Sequence, residues 1–145
     1  MPQTLAFDVY GTLIDTAGVV RELSGMVGDL APKFSQRWRD KQLEYSFRRG
    51  LMGEYRDFSV CTRNALEYVS QELSAPLTQD QVTQLMASYR RLPAFDDARL
   101  ALPKLQALGH KMYAFSNGLA DDVDAGNKTW RAYLSTSSED ARDRI

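Results

Sequence analysis

The 145-residue sequence is poor in the residues that most often carry reactive or cross-linking chemistry: it holds one cysteine, Cys61, and one histidine, His110. A lone cysteine excludes an intrachain disulfide and fits a reducing compartment, so the expected location is cytoplasmic. A lone histidine leaves almost no room for a His-based triad or a multi-histidine metal site. Charge of one sign is not in excess either. The formal net charge is -1 and no long basic run occurs, so a nucleic-acid partner has no electrostatic support. No apolar stretch approaches the roughly 20 residues that cross a bilayer. The opening "MPQTLAFDVY" lacks the charged-then-apolar order of a signal peptide, and none is expected. Hydrophobic residues make up 43% and charged residues 26%, a balance that suits one soluble folded domain and argues against wholesale disorder.

The pattern along the chain changes twice. "TLAF", residues 4 to 7, reads as a buried strand ending in Asp8. "GTLIDTAG" then breaks regularity, with Gly11 and Gly18 flanking a loop. Residues 19 to 31 read as a short helix stopped near Pro32. In the stretch that follows, Trp38 and Tyr45 lie seven apart while Leu43, Phe47 and Leu51 recur every four residues. That spacing predicts a long amphipathic helix with a broad aromatic face. Thr62, Leu66, Val69 and Leu73 predict another helix, ended before Pro76. A Thr78/Gln81 capping box opens a third, with Val82, Leu85, Met86, Tyr89 and Leu92 on one face. After Pro93, Leu102, Leu105 and Leu108 predict a helix stopped by Gly109. "KMYAF", residues 111 to 115, then reads as a second buried strand, ending in Ser116-Asn117-Gly118. The expected fold is therefore α/β. Residues 1–15 and 93–145 form a parallel-stranded core, and residues 16–92 form an inserted helical bundle.

Ligands of open α/β sheets bind at the carboxyl ends of the strands. Asp8 ends the first strand and Ser116-Asn117 ends the second. Taken alone, Asp8 reads equally well as a turn residue, and Asn-Gly marks turns generally.

Taken together, "FDVYGTLID" (7–15) and "AFSNG" (114–118) resemble the first two motifs of the haloacid dehalogenase superfamily. Most members are Mg-dependent phosphatases, which carry a second acid two residues after the nucleophilic aspartate. Here that position is Tyr10, similar to the L-2-haloacid dehalogenase branch, which uses no metal. "WRDKQLEYSFRRGLMGEYRDF", residues 38 to 58, closely resembles the cap sequence of that branch, and the likeness runs from residue 4 to about 125. It implies a Rossmann-like core with an inserted four-helix-type cap and no cofactor. It implies hydrolysis of short L-2-haloalkanoic acids to 2-hydroxy acids through an aspartyl ester. Asp8 then matches the nucleophile, and Thr12 the residue that holds its loop. Arg39 and Asn117 match the halide cradle, and Ser116 could help bind the substrate carboxylate. Tyr10, Leu43 and Phe58 match the apolar pocket for the alkyl chain. Homodimers through the cap are a further implication.

The likeness stops near residue 125. "DDVDAGNKTWRAYLSTSSEDARDRI" begins as the expected helix and then turns polar, and no Lys-Pro pair follows Asn117. The family's lysine, which holds the nucleophile ionised, and a distal acid that activates water are thus expected to be missing. Lys128 falls too early to be that lysine. Such a pattern fits a truncated or frameshifted product, or a natural short variant, with a core of only two parallel strands. Two other functions fit parts of the sequence: a phosphatase of the same superfamily, which Tyr10 disfavours, and a non-catalytic remnant whose cap serves as an association module. Plainer readings also exist for single residues. Arg39 suits a solvated helix face, Leu43 and Phe58 an ordinary core, Cys61 a small core position, and His110 an exposed turn.

Overall fold

The computed structural model describes residues 1–116 and the pair 135–136. The elements run β1 (Thr4–Asp8), α1 (Val20–Val27), α2 (Ala31–Leu51), α3 (Phe58–Glu72), α4 (Gln79–Tyr89), α5 (Asp96–Ala107), β2 (Lys111–Phe115) and β3 (Ser135–Thr136). Short 3-10 turns occupy Thr16–Val19 and Gly28–Leu30. Two compact units result: Met1–Asp15 with the chain from Arg91 onward, and Thr16–Arg90.

The first unit is built on a sheet of order β1-β2-β3, parallel throughout. β1 and β2 pair from Thr4↔Lys111 to Asp8↔Phe115. β3 is a correction to the two-strand expectation: Ser135 and Thr136 pair with Tyr113 and Ala114. Its polar composition carries no strand signal, and ladder bonds rather than side-chain pattern define it. A second correction concerns burial. β1 alternates exposed and half-buried residues, and β2 buries only Met112 and Ala114. An apolar run identifies a strand but not the cover that other elements give it. α5 ends at Ala107, and Gly109 takes a φ of +81, as a helix stop requires. Leu102 is buried, whereas Leu108 is 67% exposed, so the predicted apolar row turns out of the core at its end. His110 is half-buried rather than exposed, and its Nδ1 accepts the backbone N–H of Gln3 at 3.0 Å.

The second unit is a bundle of α1 to α4. Pro32 does not stop a helix there; it occupies the first turn of α2, where no intrahelical N–H is needed and its fixed φ favours entry. α2 runs 21 residues and carries Arg48 and Arg49 in its last turn, where positive charge suits the helix dipole. Its buried face is Ala31, Phe34, Ser35, Trp38, Lys41 and Gln42. The Leu43-Phe47-Leu51 row lies elsewhere, with Phe47 67% and Leu51 89% exposed. Three polar residues, Ser35, Lys41 and Gln42, therefore lie on the packed side. Lys41 is accommodated by an ion pair to Glu44 at 2.7 Å and by the Tyr68 ring, 4.2 Å from its Nζ. α3 buries Cys61, Thr62, Ala65, Leu66 and Val69 against this bundle, so Cys61 is the small core residue expected. α4 opens with the predicted capping box. The Gln81 N–H donates to Thr78 Oγ1 at 3.2 Å, and the Thr78 N–H donates to Gln81 Oε1 at 2.8 Å.

Candidate active site

In the α/β unit, the strand register places Asp8 opposite Phe115, so Ser116 is the first residue beyond it at the same carboxyl edge. The chain then turns sharply. The N–H groups of Leu13 and Ile14 both donate to Val9 O at 2.9 Å, and Gly11 adopts a φ of +95, which a side chain would strain. Tyr10 and Ile14 form an isolated bridge, and Ile14 forms another with Ala94. Asp15 N–H to Pro93 O, at 2.8 Å, and Phe95 N–H to Leu13 O, at 3.0 Å, tie this loop to the start of α5. Val9, Leu13 and Ile14 anchor the loop in the core while Asp8 and Thr12 face outward. Across the turn, Thr12 Oγ1 donates to Asp8 Oδ2 at 3.1 Å. The result is an exposed carboxylate on a backbone pinned at both ends. Asn117 lies outside the described residues.

In the helical unit, Arg39, Leu43 and Phe58 are all partly exposed. Leu43 and Phe58 are not core residues, contrary to the plainer reading of them. Leu43 stands one turn after Arg39 on α2 and shares its face. Phe58 begins α3, with the Arg39 guanidinium carbon 5.9 Å from its ring centre. Arg39 Nη1 also donates to Gln42 Oε1 at 3.5 Å. That same oxygen accepts the Tyr89 hydroxyl at 2.8 Å. Burial pushes the Tyr89 phenol up, opposed by the Arg39 charge and by hydrogen bonds to Gln42 and Arg39. Trp38 completes the surround. Its ring lies 5.0 Å from that of Tyr89, and its Nε1 donates to Thr62 O at 2.8 Å.

Sequence reasoning brought Asp8, Tyr10, Thr12 and Ser116 to one sheet edge and Arg39, Leu43 and Phe58 to the helical insertion. It missed Gln42 and Tyr89. A signal existed: Gln42 continues the Phe34-Trp38 spacing of four residues, and a polar residue in that row calls for a buried partner. Among the described residues, no group of three or more His, Cys, Asp or Glu is placed to hold a metal ion.

No family model matches the chain. Individual proteins do. Haloacetate dehalogenase H-2 of Moraxella sp. (strain B) is 35% identical over 121 residues, covering 83% of this chain and 54% of that protein. (S)-2-haloacid dehalogenase 1 of Pseudomonas sp. (strain CBS-3) is 37% identical over 127 residues, covering 85% and 56%. Among solved structures, the L-2-haloacid dehalogenase of Xanthobacter autotrophicus with chloropropionic acid covalently bound superposes with a TM-score of 0.84. It is 32% identical and covers 94% of this chain and 56% of that one. The chain thus spans about half the length of the curated relatives it matches.

Proposed function

We propose that the chain is a member of the L-2-haloacid dehalogenase branch of the haloacid dehalogenase superfamily, a reading supported by its 37% identity to (S)-2-haloacid dehalogenase 1, and that it attacks short L-2-haloalkanoic acids through Asp8. The observation that carries this reading is the exposed Asp8 carboxylate at the end of β1, with one oxygen held by Thr12. A carboxylate so placed is a competent nucleophile towards an alkyl halide. Its oxygen bonds to the second carbon of the substrate, the carbon–halogen bond breaks, and halide departs with the bonding pair. Water then adds at the aspartyl carbonyl, freeing the 2-hydroxy acid with inverted configuration and restoring Asp8. The relative with covalently bound chloropropionic acid supports the ester step.

The remaining roles are those that the resemblance implies, and charge and polarity agree with them. Arg39 and Asn117 receive the halide, a leaving group that needs positive charge and donors. Ser116 and nearby backbone N–H groups bind the substrate carboxylate. Tyr10, Leu43 and Phe58 line the site for the alkyl chain. The partial exposure of Leu43 and Phe58 supports this, since a pocket residue must show a surface to its ligand. The scheme uses no metal or cofactor. Residues 16–92 act as the cap, with residues 1–15 and 93–145 as the core, and the setting is cytoplasmic. The exposed apolar residues Phe47, Leu51, Met52 and Tyr55 support association of two copies through the cap.

Single-turnover kinetics on the 145-residue chain with L-2-chloropropionate tests the scheme. The expected result is a halide burst of no more than about one per chain, with an adduct on the peptide holding Asp8. Turnover after the burst measures how fast water cleaves the ester. Equal halide release by wild type and Asp8→Ala would remove Asp8 from the reaction.

A further inference from the structure

A guanidinium on a flexible stem binds an anion well only if its plane is held, and in the helical unit Arg39 meets the Phe58 ring, the Gln42 side chain and the Tyr89 hydroxyl. Gln42 is fully buried, and its amide is oriented at a cost. Oε1 takes both the Tyr89 hydroxyl and Arg39 Nη1, while Nε2 finds no partner among the described residues. A buried amide N–H₂ without a partner is unfavourable. Turning the amide over would set Nε2 against the guanidinium, donor facing donor, which is worse. At 3.5 Å the Arg39 contact is the longest of the set, and it acts as the attraction of a cation for the negative end of a fixed dipole.

The amide is fixed in turn from α4. Tyr89 is buried, its ring tilted at 52° against that of Trp38 with centres 5.0 Å apart, and Trp38 is tied to Thr62 O on α3. Thr62 Oγ1 donates to the backbone O of Phe58 at 2.9 Å. The path therefore closes on itself, from Arg39 through Gln42, Tyr89, Trp38, Thr62 and Phe58 back to Arg39. Three helices contribute to it. A residue needed only for packing at position 42 would be better apolar, since it would avoid the orphan donor.

We infer that Gln42 and Tyr89 are positioning residues that fix the Arg39 guanidinium plane for a halide-sized anion. The assignment rests on the proposed role of Arg39. Gln42 acts by presenting an acceptor, and Tyr89 acts both by holding that acceptor in place and through its own hydrogen bond with Arg39.

The test uses Gln42→Met, Tyr89→Phe and Arg39→Ala, alone and with Gln42→Met and Arg39→Ala combined. Gln42→Met should lower the halide-burst rate constant roughly tenfold to a hundredfold while moving the thermal midpoint by no more than about 5 °C. Tyr89→Phe, which keeps the ring on Trp38, should show a smaller loss of the same kind. In the Arg39→Ala background, Gln42→Met should cost little more, because the two residues act as a unit. Side-chain NMR gives a readout independent of activity: the Arg39 guanidinium resonances should be distinct in wild type and should average or broaden in Gln42→Met. Unchanged resonances in both Gln42→Met and Tyr89→Phe would overturn the inference, as would fully multiplicative losses in the double variant. If Arg39→Ala leaves the burst intact while Gln42→Met still frees the guanidinium, the halide role of Arg39 falls and the positioning stands.

Discussion

Thr12 and Asp8 face each other across a five-residue turn, Oγ1 to Oδ2 at 3.1 Å, and both are exposed. The bond contributes to the orientation of the carboxylate and little to the core. Thr12→Val should therefore lower the burst rate constant by about 10- to 100-fold, the worth of a hydrogen bond to a charged group. The circular dichroism spectrum should not change, and Thr12→Ser should recover most of the rate. A variant that loses its folded spectrum together with its rate would show that the bond holds the loop instead.

Trp38 is fully buried and belongs to the packed face of α2. Trp38→Ala removes its contacts with Tyr89 and its hydrogen bond to Thr62 O, and it should destabilise the helical unit by about 3–5 kcal/mol. The urea midpoint read from far-ultraviolet circular dichroism measures this. A fall under about 1 kcal/mol would mean that the bundle repacks around the gap.

Acid should weaken the same unit. Glu72 is held below the ordinary glutamate value of 4.5, first by its hydrogen bond with Arg37, and Glu44 likewise by its hydrogen bond with Lys41. A carboxyl whose folded pKa is lowered adds stability above its unfolded value and loses it as pH falls through the folded one. The urea midpoint should therefore drop as pH is taken from about 5 to about 3. Glu72→Gln should flatten that profile and lower its neutral end, since the 2.7 Å pair to Arg37 is gone. An unaltered slope in Glu72→Gln would assign the acid sensitivity to other groups.

Phe47, Leu51, Met52 and Tyr55 are 66 to 89% exposed along the end of α2 and the loop after it. If two copies associate there, Phe47→Glu with Leu51→Glu should convert a concentration-dependent dimer to a monomer in sedimentation velocity, with no change in helix content. A wild type that stays monomeric at high concentration would dismiss the dimer.

Local signals were legible in the sequence because a few neighbouring residues decide them. The Thr78/Gln81 box caps α4 as its spacing predicts, and Gly109 stops the segment after α5 with a positive φ. The strand end at Asp8 and the glycine that permits the turn after it were legible for the same reason, whereas the role given to Asp8 came from the resemblance. Pro32 was misread because proline both ends helices and begins them, and only the neighbouring backbone decides which. The packed face of α2 was not legible. Periodicity marked Leu43, Phe47 and Leu51, yet the buried row runs through Lys41 and Gln42. Those two positions are made habitable by Tyr68 on α3 and Tyr89 on α4, 27 and 47 residues away. A helix repeat states which side chains share a face. Which face is packed depends on partners from distant segments, and for Gln42 the partner from another helix is the Tyr89 hydroxyl, which only the tertiary fold delivers.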